Sequence, residues 1–391
     1  MTFLKALLRE LKAVLTSRDV IILLAIGPVA LTLIFGGTYI NTYVDDIPIA
    51  VLDEDHSGLS RMIIQQFEEN ERFTVKTLVD NTEEMKRLVN SREVFMGICI
   101  PAGFSGDVTR GASSDVLIIV DGSNMVIGNN SYAAASTIIQ TIAAGAGIKR
   151  LEADGLVGQE AMNMANPFSF TDRMLYNPKL SYMNYLLLGY ISVFLQQVML
   201  SGVGIRMIKD GGSSQGAAII RTALLKILSC VFYAMLSVTA AIFVAEKVFY
   251  VDIRGSIPLA LAYCLLYAFA ISGPAILIAA IVKDKLKFIQ VAYMLSLPTF
   301  ISCGYIWPLD QMPTVMVYLI KALWPLINFA RPFDELLFKG IFPAEGMIGL
   351  ALYTLVWLPI ALVVFNYRFK SRDAKYDSGT KPALIGQTVD L

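Results

Sequence analysis

Side chains able to make or break bonds are scarce in this chain. It holds one histidine, His56, and four cysteines, Cys99, Cys230, Cys264 and Cys303. His56 stands in "DEDHSG" beside Asp53, Glu54 and Asp55, the only ionisable cluster dense enough for acid–base or metal chemistry. The Asp, Ser and Gly around it are turn formers, so solvated loop side chains are expected rather than a metal ligand or a nucleophile triad. Only Cys99 lies outside an apolar run, so neither a disulfide framework nor a thiolate zinc site follows. No G-x-x-x-x-G-K-[ST] loop is present, and the glycine pair of "KDGGSSQG" lacks the Lys-Ser/Thr that would make it a phosphate cradle. The chain is therefore expected to hold no catalytic residue, no metal and no cofactor of its own. Its formal net charge of +0 gives no pointer to nucleic acid.

What the chain has in abundance is apolar sequence. Of 391 residues 55% are hydrophobic and 16% charged, with a mean hydropathy of +0.60. Soluble domains carry about a quarter charged residues. The deficit is concentrated in charge-free runs of roughly 20 residues, the length that crosses ~30 Å of hydrocarbon as a helix. The composition predicts a polytopic α-helical membrane protein. Residues 1–19 read as an amphipathic interfacial helix, with Leu4, Leu7, Leu8, Leu11 and Leu15 on one stripe and Lys5, Arg9 and Lys12 on the other side. A first crossing follows at 20–40, kinked at Gly27–Pro28. The small residues of "FGGT" admit a cleaved signal peptide, but the run exceeds an h-region and a charged helix precedes it.

Residues 41–181 read as a water-soluble α/β domain with at least partly parallel strands. Buried-strand patterns ("IPIAVLD", "VFMGICIP", "DVLIIVDGS") alternate with amphipathic helices ("SGLSRMIIQQFEEN", "TEEMKRLVNS"). The long helix of "NNSYAAASTIIQTIAAGAGIKRLEADG" is assigned to this domain and not to the membrane, since small and polar residues dominate it. Five further crossings are expected, at about Tyr182–Gly204, Ala223–Ala245, Pro258–Val282, Phe288–Ile306 and Met347–Tyr367. Lys and Arg gather before the first run, between the second and third, in "KDKLK" after the fourth and beyond the sixth, in the tail 368–391. The positive-inside rule then gives six crossings, both termini cytoplasmic and the 41–181 domain outside.

Between the fifth and sixth crossings lies "CGYIWPLDQMPTVMVYLIKALWPLINFARPFDELLFKG". Its central apolar part is too short to span and is bracketed by prolines. The residues alone fit a re-entrant helical hairpin over 307–340 or a surface loop with an amphipathic helix. No Asp, Glu, Lys, Arg or His lies mid-run in any crossing, which argues against an ion-coupled carrier. Milder polar groups remain: Gln196, Gln197, Ser237, Thr239, Ser272, Ser296 and Thr299.

In order and spacing these features resemble the permease subunit of a bacterial type-2 ABC exporter, of the subgroup with a large extracytoplasmic domain between the first two crossings. The segments that carry the resemblance are the N-terminal helix, "VLDEDHSGLSRMIIQQF", "LIIVDGSN", "MLYNPKLSYMNYLLLGYI" and "SCGYIWPLDQMPTVMVYLIKALWPL". The resemblance implies the re-entrant form of the hairpin, with Trp307, Asp310 and Pro313 shaping it. It implies two permeases, alike or different, around a central path, and two separate ABC ATPase subunits that bind the ATP and Mg. Coupling to them is expected through the N-terminal helix and the loop 205–222, with Arg9, Lys209, Asp210 and Gln215 as contacts. The family's E-x-G-T-x-E motif is shortened here to "RMIKDGGSSQG", through divergence or because the chain is one half of a heterodimer. Phe194, Gln197, Tyr293 and Phe300 are expected to face the pair axis and line a path for an amphipathic, lipid-like or drug-like substrate. Membrane lipid is a further expected partner, and a periplasmic adaptor on the outer domain a conceivable one. The competing reading is a membrane-anchored receptor or assembly platform whose outer domain binds a partner. An enzyme built on "DEDHS" is a third, weaker one.

Overall fold

The computed structural model describes residues 3–40, 44–156, 158–165, 175–177, 181–209, 217–282 and 284–377. The chain divides into two compact units, residues 1–40 with 175–391, and residues 41–174.

The inserted unit is built on a four-stranded sheet of order β2-β1-β3-β4, with β1 Ile47–Asp53, β2 Phe73–Leu78, β3 Met96–Ile100 and β4 Leu117–Val120. β1 runs parallel to both β2 and β3, and β3 runs antiparallel to β4. The central strand is the near-continuous apolar run "IPIAVLD", as burial on both faces requires. One face packs Ile47, Ile49, Phe67, Ile98, Ala135 and Ile138, and the other Ala50, Leu52, Met85 and Val94. The long helix therefore shares the sheet's core through Ala135 and Ile138.

The "DEDHS" cluster turns the chain. Asp53 Oδ1 accepts the Asp55 and His56 amides at 3.1 and 3.0 Å, its Oδ2 accepts the Ser60 hydroxyl at 2.8 Å, and Asp55 accepts the Ser105 amide at 3.1 Å. Ser57 and Ser60 close a capping box on the next helix. All four ionisable groups in the cluster thus have a backbone or cap contact to explain them, or point to solvent.

In chain order the helices are α1 Phe3–Thr16, α2 Arg18–Ile21, α3 Gly27–Thr38, α4 Gly58–Glu68, α5 Thr82–Asn90, α6 Phe104–Arg110, α7 Met125–Ala153 and α8 Gln159–Ala165. They continue with α9 Tyr182–Lys209, α10 Ala217–Lys247, α11 Ile257–Ile281, α12 Lys285–Ile301, α13 Thr314–Leu323, α14 Ala330–Asp334 and α15 Ala344–Asp377. A π-wound segment, Ile22–Ile26, joins α2 to α3 immediately before Pro28. Pro28 has no amide hydrogen for the helical ladder, and the widened turn lies beside that gap.

Among the described residues five helices are long and apolar enough to cross a membrane: Arg18–Thr38, Tyr182–Lys209, Ile220–Lys247, Ile257–Ile281 and Ala344–Arg368. The fifth run of the sequence reading, 288–306, forms the 17-residue α12, which stops at Ile301. Gly304 then takes a left-handed backbone (φ 85°), turning the chain before the apolar run is exhausted.

The leucine stripe of α1 is divided. Leu11 and Val14 pack into the helical core, while Leu4, Leu8 and Leu15 are exposed. The helix is seated by Arg206, which donates to the Glu10 carboxylate and to the Glu10 carbonyl, and by the Tyr233 hydroxyl on the Leu11 carbonyl at 3.3 Å. Lys226 is buried beside them, its ammonium 3.1 Å from the Arg206 carbonyl. Two of the basic residues near the loop after α9, Arg206 and Lys226, are thus interior groups, and Arg206 holds α1 in place.

Candidate functional site: an amide knot beneath the hairpin

Halfway along α9 the sequence places two adjacent amides, Gln196 and Gln197, on a helix otherwise rich in Leu, Val and Met. Apolar surroundings offer such groups no water, so each needs a partner on a neighbouring helix. Gln196 finds four. Its Oε1 accepts the Trp324 indole N–H at 2.8 Å and the Tyr267 hydroxyl at 3.0 Å, and its Nε2 donates to Ser296 at 2.6 Å and Thr299 at 3.5 Å. Ser296 in turn donates its hydroxyl to Gln197 Oε1 at 2.5 Å. One side chain of α9 is therefore tied to α11, α12 and the segment that follows α13. Among the described residues, Gln197 Nε2 and, one turn along, the Ser201 hydroxyl are buried without a hydrogen-bond partner.

Trp324 reaches this depth because α13 ends there. A helix that stops away from water leaves carbonyls without donors. Here Tyr353 donates its hydroxyl to the Leu323 carbonyl at 2.8 Å and Trp357 its indole N–H to the Ala322 carbonyl at 2.9 Å. Both come from α15, with Trp357 lying about 20 Å along that helix from Ala344 at 1.5 Å per residue. Beyond Trp324 the chain turns through Pro325–Asn328, where Tyr263 of α11 donates to the Asn328 carbonyl and Tyr267 stacks on Phe329 at 4.0 Å. It then returns through α14 and the π-wound Glu335–Lys339 to Gly340, where Arg254 and Gly255 amides bond the Leu337 carbonyl.

From the knot toward the N-terminal end of α9 runs a chain of rings. Phe194 lies 5.5 Å from Phe35 and 6.2 Å from Tyr190, Tyr190 lies 5.8 Å from Phe300, and Phe300 lies 5.8 Å from Tyr305. Tyr305 packs flat on the backbone at Gly189, where any Cβ would overlap its ring. Of the four residues expected to line a path, Phe194, Gln197 and Phe300 are brought together, buried, along the α9–α12 seam. Tyr293 is 51% exposed on the free face of α12, with Met294 and Leu297. Arg9 is exposed on α1 and Lys209 is the exposed last residue of α9, whereas Asp210 and Gln215 lie outside the described residues. Trp307 and Asp310 are exposed at the start of the hairpin, and Pro313 opens α13, its carbonyl accepting the Met316 and Val317 amides.

The groups missed at the sequence level are Trp324, Tyr267, Tyr353, Trp357 and the Glu10–Arg206 pair. A signal existed for two of them. Glu10 is the lone acid in an otherwise basic helix, and Trp324 precedes a proline at the end of a run too short to span.

A bundle of long apolar helices, with a knot of buried polar side chains that bond from one helix to another, fits a helical membrane protein. The profile of the ABC-2 family transporter protein matches residues 18–363, and the chain belongs to that family. It is 21% identical over 340 residues to the probable multidrug ABC transporter permease YbhR of Escherichia coli, covering 85% of this chain and 86% of the relative. It is 23% identical over 303 residues to the inner membrane transport permease YhhJ of the same organism, covering 75% and 77%. The chain is an ABC transporter permease.

Proposed function

We propose that this permease is the membrane half of an ATP-driven exporter in the bacterial inner membrane. It moves an amphipathic, lipid-like or drug-like molecule outward, and ATP is bound and hydrolysed on separate ABC ATPase subunits. In this reading α12 and the Ser302–Tyr305 turn make a further crossing, so that there are six and both termini are cytoplasmic. Residues 41–181 form an extracytoplasmic domain and 307–340 an outer re-entrant hairpin. The observation that carries the reading is the end of α13. Its terminal carbonyls are capped by Tyr353 and Trp357, and Trp324 beyond it is bonded to Gln196 halfway along α9. A surface helix would have water for those carbonyls and no use for such caps.

The mechanism follows from where α1 is anchored. α1 is joined to α9 and α10 by the Glu10–Arg206 pair and the Tyr233 bond, so a push on α1 acts on the same helix that carries Gln196. ATPase subunits docking on Arg9, Lys209, Asp210 and Gln215 would thus load α9 at one end and the knot at its middle. Exchange of the Gln196 partners would free the hairpin and open a path along Phe194, Gln197, Phe300 and Tyr293 between two copies of the chain, or between this chain and a similar permease. The polar groups of the knot are neutral, so they can exchange partners without desolvating a charge.

The test is co-purification with ATPases encoded nearby, followed by vanadate-sensitive ATP hydrolysis with and without Asp210→Ala. A stable complex whose hydrolysis falls on substitution is expected. Failure of any ATPase to co-purify, even with a second permease co-expressed, would sink the exporter reading.

A further inference from the structure

We propose that the cavity between the N-terminal end of α9, the turn after α12 and the returning limb of the hairpin binds an organic cation with an aromatic or aliphatic body, held by Asp334 and the Tyr185 and Tyr305 rings. The inference rests on the exporter reading for placing this cavity at the exit of the path, and it names the substrate class.

The cavity measures about 490 Å³, within the range of small-molecule sites. Its lining combines aromatic and charged groups: Tyr176 from the segment before α9, Tyr185 from α9, Tyr305 and Asp310 from the turn after α12, and Arg331, Asp334, Glu335 and Lys339 from the returning limb. Tyr185 and Tyr305 are stacked, with centroids 5.5 Å apart. At the rim Arg254 lies 5.6 Å over the Tyr176 ring and is paired to Asp252.

The charges do not cancel residue by residue. Arg331 and Lys339 both bond the same oxygen of Glu335, at 3.2 and 3.3 Å. Among the described residues Asp334 and Asp310 have no ion-pair partner. The Tyr305 hydroxyl lies 3.4 Å from the Asp334 carboxylate and is also bonded to the Tyr185 carbonyl, so its single hydrogen has two acceptors to serve. Asp334 is thus a partly buried acceptor without a committed donor.

Two states satisfy it. Protonated, Asp334 donates to the Tyr305 oxygen and completes a relay to the Tyr185 carbonyl. Ionised, it needs a cation in the cavity, and the rings beside it favour one carrying apolar bulk through cation–π attraction. Burial pushes the Asp334 carboxyl up to about 7, with Glu335 adding to the rise, while Lys339 and the Tyr305 hydroxyl oppose it. A cation and a proton therefore compete for one carboxylate near neutral pH.

The measurement is binding of tetraphenylphosphonium to the full-length chain in lipid nanodiscs, with empty nanodiscs subtracted, at about pH 6 and about pH 8. The ionised fraction rises from roughly one tenth to nine tenths between them, so the apparent Kd should tighten about ninefold. Asp334→Asn should weaken binding about tenfold at the higher pH and abolish the pH dependence. Asp334→Glu should restore both, and Glu246→Gln, at a residue paired to Lys247 outside the cavity lining, should leave both unchanged. Equal binding by wild type and Asp334→Asn, a pH-independent Kd, or full displacement by millimolar Ca²⁺ would overturn the proposal. The assay needs no ATPase. Asp334-dependent binding without ATP-driven movement would count against the exporter reading alone, and ATP-driven movement with Asp334-independent binding against the site alone.

Discussion

Gln196 uses both ends of its amide, so its removal is felt on three neighbouring segments at once. Gln196→Leu leaves the Trp324 indole and the Tyr267 hydroxyl buried without an acceptor, which should destabilise the detergent-solubilised protein by about 2–3 kcal/mol. Trp324→Phe deletes one donor and leaves the acceptor served by Tyr267, so about 1 kcal/mol is expected. Thermal melting checks both, and the double variant should fall short of the sum because the two residues share a bond. Asp334 makes a prediction of opposite sign to that of most carboxylates. Its folded pKa is raised, so the native state holds the proton more tightly than the unfolded chain does. Stability should decline as pH rises from about 4 to about 7 and level off above. Asp334→Asn should flatten that slope in a melting-temperature series over pH.

At the scale of elements, two attachments decide whether the bundle works as one body. α1 hangs on a pair whose side chains are 7% and 20% exposed, Arg206 and Glu10. Truncating Glu10 to Ala strands the buried guanidinium, at about 3 kcal/mol. The expected outcome is faster tryptic cleavage at Arg9 and Lys12 in an otherwise intact protein, and unchanged cleavage there would show that α1 is held by other means. The hairpin depends on donors for its last carbonyls. Tyr353→Phe combined with Trp357→Phe removes two, and hydrogen exchange over 320–324 should quicken by about tenfold, the equivalent of ~1.4 kcal/mol. No change there would mean that those carbonyls have water, and the surface-loop reading would return.

At the scale of the whole molecule, the inserted unit has cores of its own on both faces of its sheet. An excised fragment covering 44–165 is therefore expected to fold alone, with mixed α/β circular dichroism and a cooperative melt. A fragment without a cooperative transition would mean that the sheet needs the bundle. The alternation of strands and helices in this unit was legible in the sequence, including the partly parallel pairing, because each strand is a short apolar run between turn residues. Four of the five crossings expected after the insertion also correspond to helices of crossing length. The fifth was misjudged in extent: hydropathy follows the apolar run to Ile306, whereas the backbone turns at Gly304, a choice of φ that hydropathy does not register.

The sequence by itself determined the membrane class, the inserted α/β unit, the family resemblance and the lack of charge in the middle of the crossings, since these depend on composition, run length and order along the chain. Only the tertiary structure decided the rest. That Arg206 turns inward to Glu10, that Trp324 and Gln196 meet, that α15 caps α13 and that Asp334 is left without a committed donor are all relations between residues far apart in the chain. A polar side chain in an apolar run signals that it must have a partner. Which partner it has depends on how the helices rotate and at what depth they meet, and packing sets both.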